Sequence, residues 1–284
     1  PPVITISNIN NNSYINDNIL SYSLSENLEN STVTFTQTDG DPDPRSPQVV
    51  ALTGSELNAG QFSNQKLANG PNLLNGSIYE IEFTGIDPAG NEAAPVKISN
   101  VSFDNQPPEM SISRPLDSEQ IKTTFVSYMS NESLESATVV FEQTSGTIDV
   151  NSPHRIPLKG ASLTAGVHSD YDLGITSQLA DGGRYSVSIE AVDKAGNSAK
   201  ITTIKDVFFD VLPPDLSLSA PTSGSIVNAT YITYATSEEM RKGKMIFTRT
   251  GGAEDPISPH IVELSGNRLK QGDHYEESFN NDVQ

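Results

Sequence analysis

The stretch Leu52-Thr-Gly-Ser-Glu-Leu-Asn-Ala-Gly60 is written twice more in this chain, as Leu158-Lys-Gly-Ala-Ser-Leu-Thr-Ala-Gly166 and as Leu264-Ser-Gly-Asn-Arg-Leu-Lys-Gln-Gly272. The three copies of this Leu-x-Gly-x-x-Leu-x-x-Gly pattern lie 106 residues apart, and the same step organises everything around them. Pro1-Pro2 returns as Pro107-Pro108 and Pro213-Pro214; Tyr22 returns as Tyr128 and Tyr234; Phe35 as Phe141 and Phe247; Ser46-Pro47 as Ser152-Pro153 and Ser258-Pro259. No insertion or deletion is needed. A long-period repeat of this kind fixes the architecture before any single segment is read. It divides the chain into copies at 1–106, 107–212 and 213–284.

Within a copy the pattern is one of short alternating strands between turn residues. In the first copy Val3–Ser7, Ile19–Ser25, Thr32–Thr38, Val49–Thr53, Ser77–Gly85 and Val96–Phe103 read as strands. The Gly/Asp/Pro run Asp39–Pro47 reads as a loop, and Gln61–Asn72 as a variable stretch. About seven strands per hundred residues, with turn signals every 8–12, predict an all-β chain of tandem immunoglobulin-like β-sandwiches in a linear array. No window shows sustained helical spacing of apolar residues. In this register Gln284 corresponds to Asn72, so the third copy is expected to lack its last two strands. Either the sequence is a piece of a longer array, or a strand from another molecule completes that copy.

Composition agrees. Hydrophobic residues are 35% of the 284, and Ser, Thr, Asn, Asp, Gly and Pro dominate the rest, which suits small cores and much solvated surface. The formal charge of −19 repels nucleic-acid phosphates and anionic lipid. It also leaves a self-repulsion that bound cations would relieve, although acidity for solubility alone reads equally well. With no cysteine, thiol nucleophiles, thiolate metal sites and disulfides are all excluded. No run of apolar residues is long enough to insert in a membrane as a helix.

The turn Asp87-Pro-Ala-Gly-Asn91 and its copy Asp193-Lys-Ala-Gly-Asn197 resemble those of bacterial immunoglobulin-like repeats, which occur in tandem in large cell-surface adhesins. The junctions Phe103-Asp-Asn-Gln-Pro-Pro108 and Phe209-Asp-Val-Leu-Pro-Pro214 resemble the linkers of that family, as does Phe247-Thr-Arg-Thr-Gly-Gly252 with Asp255-Pro-Ile-Ser-Pro-His260. The resemblance implies a non-enzymatic stalk on a bacterial surface or in a secreted protein. It would extend a binding tip toward a host, surface or glycan ligand through a region outside this sequence. The alternative is that each repeat is itself a weak glycan- or protein-binding module acting by avidity, through the variable stretches Gln61–Asn72, Val167–Gln178 and His274–Gln284; exposed aromatics should mark such a site, and the first of these stretches has only Phe62.

The family strand order also implies where chemistry sits. The loop after the second strand carries Glu26, Glu132 or Glu238, and the turn between the last two strands carries Asp87 or Asp193. Both fall at the end of the sandwich where the preceding linker arrives. At the first junction Asp104 and Asn105 would then meet Glu132 and Asp193; at the second, Asp210 would meet Glu238. Several acidic side chains from two repeats and a linker suit a hard cation with six to eight oxygen ligands, namely calcium. The competing reading is turn chemistry alone, since Asp-x-Ala-Gly-Asn caps its own backbone and uses Gly at positive φ.

Other candidates lead elsewhere. Asp39-Gly-Asp-Pro-Asp43 begins like a calcium loop but has Pro44 where a glycine is required and Val50 where a glutamate is required, so it reads as a proline-stiffened loop. Ser46, Ser152 and Ser258 have no histidine recurring in all three copies, so no hydrolase triad is supported. His154, His168, His260 and His274 lack metal-pair spacing and read as ordinary loop residues. The recurring Tyr22, Tyr128 and Tyr234 read as packing residues.

Overall fold

The computed structural model describes residues 1–279; the chain divides into a first unit, 1–210, and a second that begins at Val211. Its strands are β1 (Ile4–Ile6), β2 (Tyr14–Ile15), β3 (Ile19–Leu24), β4 (Asn30–Gly40), β5 (Gln48–Ala51), β6 (Gly60–Lys66), β7 (Ser77–Ile86) and β8 (Val96–Phe103) in the first copy of the repeat. The second copy gives β9 (Met110–Arg114), β10 (Gln120–Ile121), β11 (Phe125–Ser130), β12 (Leu134–Gly146), β13 (His154–Pro157), β14 (Gly166–Asp172), β15 (Gly183–Asp193) and β16 (Thr202–Phe209). The second unit holds β17 (Leu216–Ala220), β18 (Tyr231–Thr236), β19 (Gly243–Phe247), β20 (His260–Leu264) and β21 (Gly272–Ser278). There is no α-helix among the described residues; three 3-10 turns lie at Gly54–Leu57, Gly160–Leu163 and Gly266–Leu269.

Each copy in the first unit is a sandwich of the immunoglobulin type. A three-stranded sheet, β1-β3-β6 or β9-β11-β14, faces a five-stranded one, β2-β8-β7-β4-β5 or β10-β16-β15-β12-β13. All pairings are antiparallel except β2 with β8 and β10 with β16. The alternation is most regular in the sheet centres: along β7 and β15 every second side chain is buried. Tyr79, Ile81 and Phe83, and likewise Tyr185, Val187 and Ile189, are inaccessible to solvent. Two separate cores result, one per copy. In the second unit β17-β18-β21 and the pair β19-β20 enclose Ile232, Tyr234, Met240, Val262, Leu264 and Phe279.

The thrice-written Leu-x-Gly-x-x-Leu-x-x-Gly pattern forms the 3-10 turn that the core tyrosine holds. Gly54, Gly160 and Gly266 adopt φ of 55°, 59° and 59°, a left-handed backbone that disfavours any side chain. The Tyr22 hydroxyl donates to the Glu56 carbonyl at 3.0 Å, Tyr128 to Ser162 at 2.5 Å and Tyr234 to Arg268 at 2.7 Å. A buried phenol needs such a partner, and the turn supplies it in all three copies.

The variable stretch Gln61–Asn72 is not a loop at its start: β6 occupies Gly60–Lys66 and pairs with β3 across the edge of the small sheet. Its counterparts β14 and β21 occupy the corresponding parts of Val167–Gln178 and His274–Gln284, the last of which runs beyond the described residues. The strand escapes detection because its edge faces solvent and a bulge breaks the period. Asn64, Asp170 and Glu276 sit at φ near 50°, so the inward residues Phe62 and Gln65 are three apart rather than two.

That strand also corrects the reading of the histidines. Phe62, His168 and His274 lie opposite the core tyrosines and stack on Tyr22, Tyr128 and Tyr234 with ring centroids 4.5, 4.7 and 4.5 Å apart. His154 and His260 open β13 and β20, with Nε2 at 2.7 Å from Asp149 and 2.8 Å from Asp255. None of the four is an ordinary loop residue.

Candidate metal centre

Asp193 ends β15 and is 1% exposed. Its Oδ1 accepts the backbone N–H groups of Ala195 and Asn197, each at 2.8 Å, and its Oδ2 accepts Asn197 Nδ2 at 2.8 Å. Asp87 repeats the arrangement with Ala89 and Asn91, at 2.8, 2.8 and 2.7 Å. There the Asn91 side chain, then the Asn91 and Ala89 N–H groups, outweigh burial and hold the Asp87 carboxyl below its usual range. The turn chemistry read from the sequence is therefore present in both copies.

The two turns differ in what faces them. Parallel pairing of β2 with β8 carries the chain into the linker, where the Asp104 N–H donates to Ile15 O at 2.9 Å and its Oδ1 accepts the Gln106 N–H at 3.1 Å. The linker's far end is held by Asn131, which accepts the Glu109 N–H at 2.8 Å. Between these anchors Asp104, Glu132 and Asp193 each present a carboxylate oxygen, and the three oxygens lie within 4.8 Å of one another. Burial, then the charges of Asp104 and Asp193 and a hydrogen bond with Asp104, push the Glu132 carboxyl up to about 7. None of the three belongs to an ion pair among the described residues.

The donor set fits a hard divalent cation. It is all oxygen and carries up to three negative charges, none of them in an ion pair among the described residues. A carboxylate has about four acceptor positions, so Asp193, with three already filled by its own turn, keeps one for a ligand. Carbonyls and waters would have to complete the six to eight oxygens calcium takes.

Of the other predicted ligands, Asn105 is exposed and its N–H donates to Asn75 Oδ1 at 2.9 Å. Glu26 is exposed, and neither it nor Asp87 joins a group of three such residues among those described. Asp210 lies in the first unit, where its N–H donates to Ile121 O at 2.9 Å. Glu238 lies in the second, where its carbonyl accepts the Thr236 hydroxyl at 2.7 Å.

Sequence reasoning missed a buried polar centre. Asp43 and Asp149, taken as loop residues, are 5% and 8% exposed and accept the hydroxyls of Tyr79 and Tyr185 at 2.9 and 2.7 Å. Gln48 Nε2 in the first copy and His154 Nε2 in the second complete them at 2.6 and 2.7 Å. The recurrence of Asp43 as Asp149 and Asp255 was the available signal.

No family model and no curated protein matches this chain. Among solved structures it is similar to a tetra-tandem repeat in the extending region of a large adhesion protein, at 13% identity over 98% of this chain and 66% of that one, with a TM-score of 0.30. The chain thus spans just under two thirds of that structure. It is also similar to the fibronectin(III)-like modules of CbhA from Clostridium thermocellum (10% identity, 73% of this chain, 95% of that one, TM-score 0.35). A third similar structure is the α-L-rhamnosidase of Streptomyces avermitilis (9% identity, 98% of this chain, 28% of that one, TM-score 0.29).

Proposed function

We propose that the chain is a non-catalytic spacer of a cell-surface or secreted adhesin, projecting a binding region beyond these residues, and that calcium at the first repeat junction stiffens it. The observation that carries this reading is the meeting of Asp104, Glu132 and Asp193, since one comes from the linker and two from separate loops of the following repeat. A cation held there ties the linker to the repeat it enters. The paired prolines 107–108 and 213–214 limit bending at the same places, because proline fixes φ and restrains the residue before it. In a linear array each repeat contacts only its neighbours, so stiffness is decided junction by junction.

Thermal unfolding of the full chain in millimolar calcium and in chelator tests the proposal. Calcium is expected to raise the Tm of the first unit, and Glu132→Gln to abolish the rise. Coincident curves for the unsubstituted chain would sink the calcium assignment. For the avidity reading, the first of its three stretches offers nothing, since Phe62, its one aromatic, is stacked on Tyr22; the third offers Tyr275, which is exposed.

A further inference from the structure

The Asp193–Asn197 turn does more than cap itself. Asn197 uses one amide hydrogen on Asp193 Oδ2 and presents Nδ2 to the Asp104 carbonyl at 2.8 Å as well, while its Oδ1 accepts Asn16 Nδ2 at 3.2 Å. The orientation of this amide is forced. Both partners on its nitrogen side are pure acceptors, so the nitrogen must face them and the oxygen must face Asn16. Asn16, Asp104 and Asn197 belong to the first repeat, the linker and the second repeat.

Two further approaches occur on the same surface. The Lys194 ammonium lies 5.3 Å from the centroid of the Tyr14 ring, within cation–π range. A side chain at Gly196, whose φ is +94°, would begin 3.6 Å from Asn16 Nδ2. Residues 194, 196 and 197 of one turn thus lie against residues 14 and 16, which flank the point where Ile15 receives the Asp104 N–H.

The first copy supplies the internal comparison. Asn91 forms the same turn, with its N–H on Asp87 Oδ1 and its Nδ2 on Asp87 Oδ2. Turn formation therefore needs only half of the asparagine amide. The other half of Asn197 is directed across the junction. In the repeat register Tyr14 and Asn16 become Gln120 and Lys122, so the face that the first repeat offers its neighbour is chemically its own.

We infer that Asn16 and Asn197 form an amide clasp that couples the first two repeats without any cation, and that Asn197 is the residue positioning Asp104 against Asp193. The second half of this inference rests on the calcium reading above; the first does not. The clasp holds the repeats in register when no metal is bound, and metal then binds to a junction already assembled. Asn197 is a positioning residue here, acting on the ligand set through the linker carbonyl.

Because the chain has no cysteine, spin labels can be placed uniquely at Val49→Cys and Val167→Cys, which are 62% and 72% exposed. The distance distribution between them is measured in the full chain in chelator. We expect a narrow distribution that Asn16→Ala broadens at least about twofold and that Asn91→Ala, which disturbs a turn without a clasp, leaves unchanged. The hydrogen bond of the Asn16 side chain goes to Asn197, and Gly196 beside it makes only van der Waals approach, so loss of the Asn16 amide separates the clasp from folding. A broad distribution in the parent chain, or one unmoved by Asn16→Ala, overturns the clasp. Calcium titration calorimetry decides the positioning role: Asn197→Ala, which releases the Asp104 carbonyl, should weaken affinity about three- to tenfold although Asn197 is no ligand, and Asn16→Ala, which leaves that bond in place, should weaken it less. Unchanged affinity overturns that role. Absence of any calcium binding removes both the role and the calcium reading, and leaves the clasp to the distance measurement.

Discussion

The first and second repeats of this chain share one turn and differ in what it faces. Asp87 and Asp193 are buried alike and accept the same three hydrogen bonds at nearly the same distances. Asp193 groups with Asp104 and Glu132, and the linker and Asn16 reach its turn through Asn197; among the described residues Asp87 joins no group of three such side chains. The carboxylate is thus a structural cap in both copies. Under the calcium proposal the linker that precedes the second repeat would give Asp193 a second role, so that a turn which folds alone would become part of a site where a linker reaches it.

Removing the cap should give the largest effect. Asp193→Ala strands two N–H groups and an amide in a part-buried turn, and is expected to cost the second repeat about 2–3 kcal/mol. Asp87→Ala should destabilise the first repeat in the same direction. Only the first of these should also abolish calcium-dependent stabilisation. Equal calcium responses in the two variants, measured by differential scanning calorimetry, would break the comparison.

A smaller effect should appear with pH. Glu132 is pushed from an ordinary 4.5 up to about 7 by burial and by its two acidic neighbours. A carboxyl raised by folding contributes stability that is complete below its unfolded value and is lost as pH rises through its folded value. In chelator the chain should therefore be less stable at pH 8 than at pH 5, by about 1 kcal/mol once solvent screening is allowed for. Glu132→Gln should flatten that slope and raise cation-free stability at pH 8. Glu26→Gln, at the corresponding exposed position of the first repeat, should alter neither. With calcium present the slope should reverse, since the cation requires the carboxylate that the proton neutralises.

These differences show what could be read from the chain and what could not. The 106-residue register and the strands with strict alternation were legible from spacing. The meeting of Asp104, Glu132 and Asp193 was legible only through the strand order that the family resemblance implies, and Asn105, expected with them, is not in the group. The strand Gly60–Lys66 was not: it lies at a sheet edge, carries few apolar side chains and changes phase at Asn64. The clasp was invisible for another reason. Asn16 and Asn197 are 181 residues apart, and nothing in the first copy marks residue 16, because the recurring position is Lys122. His154 was misread because the first copy has Gln48, a residue that looks unrelated until both are seen bonded to the same aspartate.

That last pair gives the finest test, an exchange of residues between the copies. Burial works to raise the carboxyls of Asp43 and Asp149, and hydrogen bonds from the neighbouring tyrosine, backbone and Gln48 or His154 outweigh it, leaving both below their usual range. Either partner thus serves the aspartate. Their other atoms do not match. Gln48 also accepts the Asn72 N–H through Oε1 at 2.8 Å and donates to the Asn72 carbonyl at 3.1 Å. In the second copy the corresponding Gln178 N–H is already taken by Ile175 O at 2.8 Å, so histidine leaves no donor wanting. The exchange should be asymmetric: Gln48→His removes the partners of Asn72 and should cost about 1–2 kcal/mol, whereas His154→Gln should cost under about 1 kcal/mol. Denaturant midpoints of the two variants measure this directly. Equal losses would mean that the aspartate contact alone sets the energy of this centre, and that the rearranged loop before β15 is an accompaniment of the histidine rather than its compensation.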